Sequence, residues 1–116
     1  MLEAVSAGVP LVTWPLHADQ FYNEKLVVEV LKMGVGVGAG DYASHLEVRR
    51  EVISGEKIAE GIDGVMGGNQ EAEATRKKAM ELRGKARSAT DKGGTSYDDV
   101  GKLIHELMAR RRSVHS

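Results

Sequence analysis

The 116-residue sequence has no cysteine, which excludes disulfides and thiolate metal sites and permits a reducing compartment. Large rings are scarce. With one tryptophan, one phenylalanine and three tyrosines, any core must be built from Val, Leu, Ile, Met and Ala, and fourteen glycines loosen it further. Modest stability is expected. Neither sign of charge dominates: sixteen basic against seventeen acidic residues argue against a general nucleic-acid or anionic-membrane surface. No run of about 18 apolar residues is available to span a bilayer, and no signal-peptide pattern is present. What is there reads as a soluble chain whose length suits one domain and whose hydrophobic share of 41% is adequate for a small core.

The informative stretch is MLEAVSAGVPLVTWPLHADQ at the start. Leu2, Ala4 and Val5 lie at helical spacing, Gly8 supplies a left-handed cap, and Pro10 forbids continuation, so a short helix is predicted. Leu11 to Trp14 is an apolar or β-branched run closed by Pro15, as in a strand covered on both faces, with Trp14 filling core. The loop that follows carries His17, Asp19 and Gln20 just beyond the carboxyl end of that strand, where open α/β sheets bind ligands.

Asp19 can cap a helix through Phe21, Leu26, Val30 and Met33, with Asn23, Glu24, Lys25, Glu29 and Lys32 on its wetter side and Gly34 as its stop. Residues 34–40, GVGVGAG, then suit a short strand packed closely against another backbone. Glycine at every second position matches neither the dinucleotide fingerprint nor the phosphate-loop pattern. The mixed segment 41–53 reads as a surface connection. A helix is predicted after Ser54, with Ile58, Ala59, Ile62, Val65 and Met66 as its buried stripe and Gly67 and Gly68 ending it. Another runs from Asn69 to about Lys92 on a thin seam of Thr75, Ala79, Leu82, Ala86 and Ala89. The last begins at Thr95 or Ser96, with Tyr97, Val100, Leu103, Ile104, Leu107 and Met108 on its apolar face, and Ala109 to Ser116 fray. Two strands make only a marginal sheet, so further strands are expected from elsewhere.

The run LEAVSAGVPLVTWPLHADQFYNEKLV resembles the end of the signature box of plant UDP-glycosyltransferases of secondary metabolism. The resemblance implies an α/β fold: the carboxyl-terminal portion of a Rossmann-like nucleotide-sugar-binding domain in a two-domain GT-B glycosyltransferase. Residues 1–20 would be the end of the box, and residues 95–109 the last helix, packing back toward an amino-terminal domain. The box's upstream tryptophan, which stacks on uracil, and its diphosphate-holding residues do not precede Met1, and the catalytic histidine and its aspartate partner belong to the amino-terminal domain. The chain is thus expected to be the last part of such an enzyme and to lack catalytic residues of its own.

By the same resemblance Glu3 accepts hydrogen bonds from the donor's ribose hydroxyls, and Asp19 and Gln20 contact sugar hydroxyls. A carboxylate beside an amide can both accept and donate, as vicinal diols require. Glutamine at the last box position tilts the sugar toward glucose. Read without the resemblance, Glu3 serves the helix dipole and Asp19 a helix cap. The expected donor is UDP-glucose, with no cofactor, and the acceptor is a small hydroxylated plant metabolite; a cytoplasmic location is the default.

His17 stands where the family more often has an aromatic ring, and without a placed carboxylate partner it reads as a surface residue. With His45, His105 and His115 it shows no metal-ligand spacing, so no metal site is predicted. Arg110 to Arg112 read as solvated charge that suits a helix carboxyl end. The alternative to a donor-binding part of an enzyme is a non-catalytic partner that associates with a glycosyltransferase through its unfinished sheet and last helix.

Overall fold

A computed structural model describes residues 1–39 and 52–115. His45 and nearly all of the expected surface connection lie outside the described residues. The elements in order are α1 (Leu2–Ala7), β1 (Leu11–Thr13), α2 (Asp19–Lys25), β2 (Gly34–Gly36), α3 (Gly55–Met66), α4 (Gln70–Thr90) and α5 (Thr95–His115). A π-helical turn, Leu26–Val30, extends α2.

Gly8 ends α1 in the left-handed region at φ 71°, as its sequence position predicts. Its amide donates to Val5 O and that of Val9 to Ala4 O, a Schellman closure that turns the chain back toward β1. The second helix ends differently from expectation. Lys32, at φ 54°, makes the left-handed turn, while Gly34 is already the first residue of β2. The π-helical turn shifts the helix register just before this point, and Met33 N then donates to Val27 O.

β1 and β2 pair in parallel, Leu11 opposite Gly34 and Thr13 opposite Gly36. Strand alternation explains the glycine-valine pattern. Gly34 and Gly36 face the second helix: a Cβ on Gly34 would lie 2.8 Å from Val27, and one on Gly36 3.0 Å from Glu24 Oε2. Val35 and Val37 face α3, where Gly64 and Gly61 leave room for them. Helices thus approach both faces through glycine contacts.

α3 buries a face rotated from the predicted one, keeping Ile58 and Val65 of the expected stripe. Its inward residues are Ile58, Gly61, Gly64 and Val65, whereas Ala59, Ile62 and Met66 are exposed. Apolar character picked out Ile58 and Val65 but missed Gly61 and Gly64, which meet the sheet because they are small. Ser54 caps this helix, its Oγ accepting from Lys57 N at 3.3 Å. The seam predicted for α4 is the observed one, with Ala79 fully buried and Thr75, Leu82, Ala86 and Ala89 half-buried. Asn69 Oδ1 caps α4 by accepting from Ala72 N at 2.8 Å.

Two arginines of α4 hold the ends of its neighbours. Arg76 Nη1 donates to Val65 O and Gly67 O, both at 2.8 Å, supplying partners to carbonyls freed at the carboxyl end of α3. Arg87 Nε donates to Ser6 O of α1 at 3.1 Å. Arg76→Met keeps most of the apolar stem and removes both donors, so a loss of about 1–2 kcal/mol is expected. Urea unfolding should show it as a lower midpoint at unchanged slope; an unchanged midpoint would mean that water replaces the guanidinium freely.

The carboxyl-terminal helix does not fray where expected. It runs through Arg110 to His115, supported by an Arg110–Glu106 pair at 2.8 Å, and contains no breaker after Gly101. Its apolar residues stay half-exposed, Tyr97 at 51% and Leu103 and Leu107 at 57%. The radius of gyration, 19.7 Å, exceeds the about 13 Å of a compact chain this long. The core is small and lies elsewhere: Val27, Met33 and Ala79, ringed by Val5, Leu11, Val28, Leu31 and Leu82.

Candidate functional site

Parallel pairing brings the carboxyl ends of β1 and β2 side by side, and the loop of residues 14–18 leaves this edge to enter α2. Asp19 and Gln20 are the first two residues of that helix. Both are exposed. The expected cap is not formed by Asp19. Ala18 occupies the cap position and makes no side-chain bond, while Asp19 sits inside the first turn, where its carboxylate favours the helix dipole.

Gln20 does the local fastening instead: its Oε1 accepts from Leu16 N at 2.8 Å, and its own N–H donates to His17 O at 3.2 Å. One lone pair of the Gln20 side-chain carbonyl is thus used within the loop, and its NH₂ supplies two further donors at this exposed position. Ala18 is held at φ 53° and ψ −129°, a conformation that L residues rarely adopt and that costs about 1–3 kcal/mol. The strained residue lies between two exposed hydrogen-bonding side chains, His17 and Asp19.

Glu3 lies in the first turn of α1 with its side chain fully exposed. No hydrogen bond joins Glu3 to Asp19 or Gln20 among the described residues.

Trp14 departs from expectation. Instead of filling core it is 47% exposed, because β1 ends at Thr13 and the two-stranded sheet leaves the indole nothing to pack beneath. β1 itself is half-buried along its length: Leu11 and Thr13 meet the second helix and its cluster, and Val12 meets α3 at Gly61. His17 is exposed, in keeping with a surface residue. Among the described residues no group of His, Asp and Glu is placed to hold a metal ion.

Glu24 was assigned to the wet side of its helix, and the structure turns it inward. Thr13 Oγ1 donates to Glu24 Oε2 at 2.5 Å and lies 3.4 Å from Val35 O. Helical spacing puts Glu24 one turn after Gln20, but only the strand pairing shows that Thr13 ends beneath it. A pocket of about 310 Å³ opens on the other face of the edge, lined by Gly36, Gly38, Lys57, Glu60 and Gly61.

Comparison with known proteins shows what the chain is similar to. The chain is 47% identical over 109 residues to abscisate beta-glucosyltransferase of Phaseolus angularis. The chain is a homologue of the plant UDP-glycosyltransferases. The match covers 94% of this homologue and 23% of that relative. It is also 45% identical over 107 residues to soyasapogenol B glucuronide galactosyltransferase of Glycine max, covering 92% of the homologue and 22% of the relative.

Among solved structures, that of UGT73P12 from Glycyrrhiza uralensis, complexed with glycyrrhetinic acid 3-O-monoglucuronide, superposes with a TM-score of 0.86 at 41% identity over 97% of the homologue and 23% of that chain. Os79 from O. sativa, solved with UDP and deoxynivalenol-3-glucoside, gives 0.76 at 31% identity over 90% and 22%. No protein-family model matches. The fold of the UDP-glycosyltransferase homologue is accordingly part of a Rossmann-like domain of the GT-B type, and it spans about a quarter of the length of its curated relatives. Among the described residues no helix is long and apolar enough to cross a membrane.

Proposed function

We propose that this chain forms the sugar-facing floor of the donor site in a UDP-dependent glycosyltransferase, with UDP-glucose as donor and a hydroxyl of a small plant metabolite as acceptor. The observation that supports this most is the loop at the sheet's carboxyl edge, where Gln20 is locked by Leu16 with its amide NH₂ left over, in a chain whose relatives bear glycosyltransferase names. Glu3 receives ribose hydroxyls, while Asp19 and Gln20 receive and donate to sugar hydroxyls. In the complete reaction a base deprotonates the acceptor hydroxyl, its oxygen attacks the anomeric carbon, the bond to UDP breaks, and the sugar is transferred with inversion. That base and the uracil and diphosphate contacts lie outside these residues, so the chain alone holds no complete cleft and does not turn over. Its location in this reading is cytoplasmic, and α5 lays its apolar face on the amino-terminal domain.

Saturation-transfer NMR with UDP-glucose tests the reading. Ribose and glucose protons should receive saturation from the wild-type chain and lose most of it in a Glu3→Ala, Gln20→Ala double variant, with UDP-galactose receiving less than UDP-glucose throughout. Equal signals for wild type and variant would remove these residues from the site.

The half-exposed apolar face of α5 supports a second reading, a non-catalytic chain that associates with a glycosyltransferase. Co-migration with a full-length relative on size exclusion, lost in Leu103→Glu, is the expected result.

A further inference from the structure

We propose that Glu24 is a positioning residue for the donor site, fixing through Thr13 the loop that presents Asp19 and Gln20. The inference rests on the donor reading above. It starts from three residues on three elements: Thr13 at the end of β1, Glu24 on α2 and Gly36 at the end of β2. Thr13 Oγ1 donates to Glu24 Oε2 at 2.5 Å, and a Cβ on Gly36 would come within 3.0 Å of that oxygen and 3.5 Å of Thr13 Oγ1. The carboxylate therefore sits in the space left by the missing side chain at position 36.

Glu24 follows Gln20 by four residues, so the two share a helix face. Gln20 Oε1 takes the amide of Leu16 within the loop, and Glu24 takes the hydroxyl of the residue that precedes the loop. Both bonds tie one helix face to residues 13–16, and Asp19 immediately precedes Gln20 in the first turn of that helix. A half-buried carboxylate is an expensive way to fill space, and an aliphatic side chain would pack there more cheaply. What the carboxylate adds is a directional, charge-assisted bond that sets the angle and depth of α2 against the strand end. A binding group displaced by a fraction of its bond length loses much of its contribution, which gives such a support its functional weight.

The test uses the full chain with Glu24→Ala, Glu24→Gln, Thr13→Val and Thr13→Ser. Solvent-exchange NMR reads the amides of Leu16 to Gln20, and titration with UDP-glucose reads donor affinity. Glu24→Ala and Thr13→Val should each weaken UDP-glucose by about fivefold and speed loop amide exchange by about tenfold, with α3 and α4 amides unchanged. Glu24→Gln retains an acceptor and Thr13→Ser a donor, so both should stay within about twofold of wild type. The proposal falls if Glu24→Gln behaves like Glu24→Ala, or if Glu24→Ala binds donor as the wild type does. If the wild-type chain takes up no UDP-glucose, the donor reading fails first and takes the proposal with it; if wild type binds and the variants do not differ, only the proposal fails.

Discussion

Met33→Ala is expected to lower stability by about 3 kcal/mol. Met33 is 0% exposed and the one large side chain completely enclosed among the described residues. It packs with Val27 and Ala79 where the second helix, β1 and α4 meet. A thioether fills such an irregular junction readily, and alanine would leave a cavity that glycine-rich strands cannot collapse to fill. Urea unfolding followed by amide NMR dispersion measures the effect. Met66→Ala is the control: Met66 is 70% exposed, and its loss should stay within about 0.5 kcal/mol. Equal effects at the two positions would show that the cluster around Met33 is not the core.

Gly34→Ala should be nearly as damaging, at about 2–4 kcal/mol, although it adds a single methyl. That methyl would lie 2.5 Å from Leu11 O and 2.8 Å from Val27 Cγ1. The first neighbour is backbone of the paired strand, so no flexible tip can swing aside; either the strands part or the second helix lifts from the sheet. Gly84→Ala makes the opposite case. Gly84 lies inside α4 with nothing within 4 Å of an added Cβ, and the substitution should stabilise by about 0.5–1 kcal/mol through backbone entropy and helix propensity. Thermal melts of the two variants should therefore move in opposite directions. A common direction would mean that contact at Gly34 does not govern its effect.

Much of the architecture was legible because it rests on short-range chemistry. Gly8 and Val9 close α1 through hydrogen bonds to carbonyls three and five residues back respectively, and Ser54 caps α3 within one turn. The Ala79 seam of α4 follows from the 3.6-residue period alone. The tight approach of the glycine strand follows from the absence of Cβ atoms.

Other features were misread where the deciding partner is distant or where one local signal hid another. Large apolar residues nominated Ile62 and Met66 for the buried face of α3, yet Gly61 and Gly64 win it because Val12, Val35 and Val37 need the room. Gly34 was the natural helix stop, but a π-helical turn leaves Lys32 at the point of reversal. Trp14 was placed in the core as part of a covered strand, but β1 ends at Thr13 and leaves the indole beyond the covered stretch.

The candidate site divides the same way. Asp19, Gln20 and the carboxyl strand end could be named from residue types and order, since a strand followed by a polar loop and a helix sets their sequence on the edge. The lock of Gln20 on Leu16 and the seating of Glu24 against Thr13 could not be named. The sequence by itself determined the order of elements, most of their ends and the residues offered at the sheet edge, because propensity, capping and period act within a turn or two of the chain. Only the tertiary structure decided which faces are buried, that Arg76 holds the end of α3, and that Glu24 turns inward. These depend on atoms brought within hydrogen-bond range by the parallel pairing of β1 with β2 and the packing of helices around it, and no local preference specifies that distance.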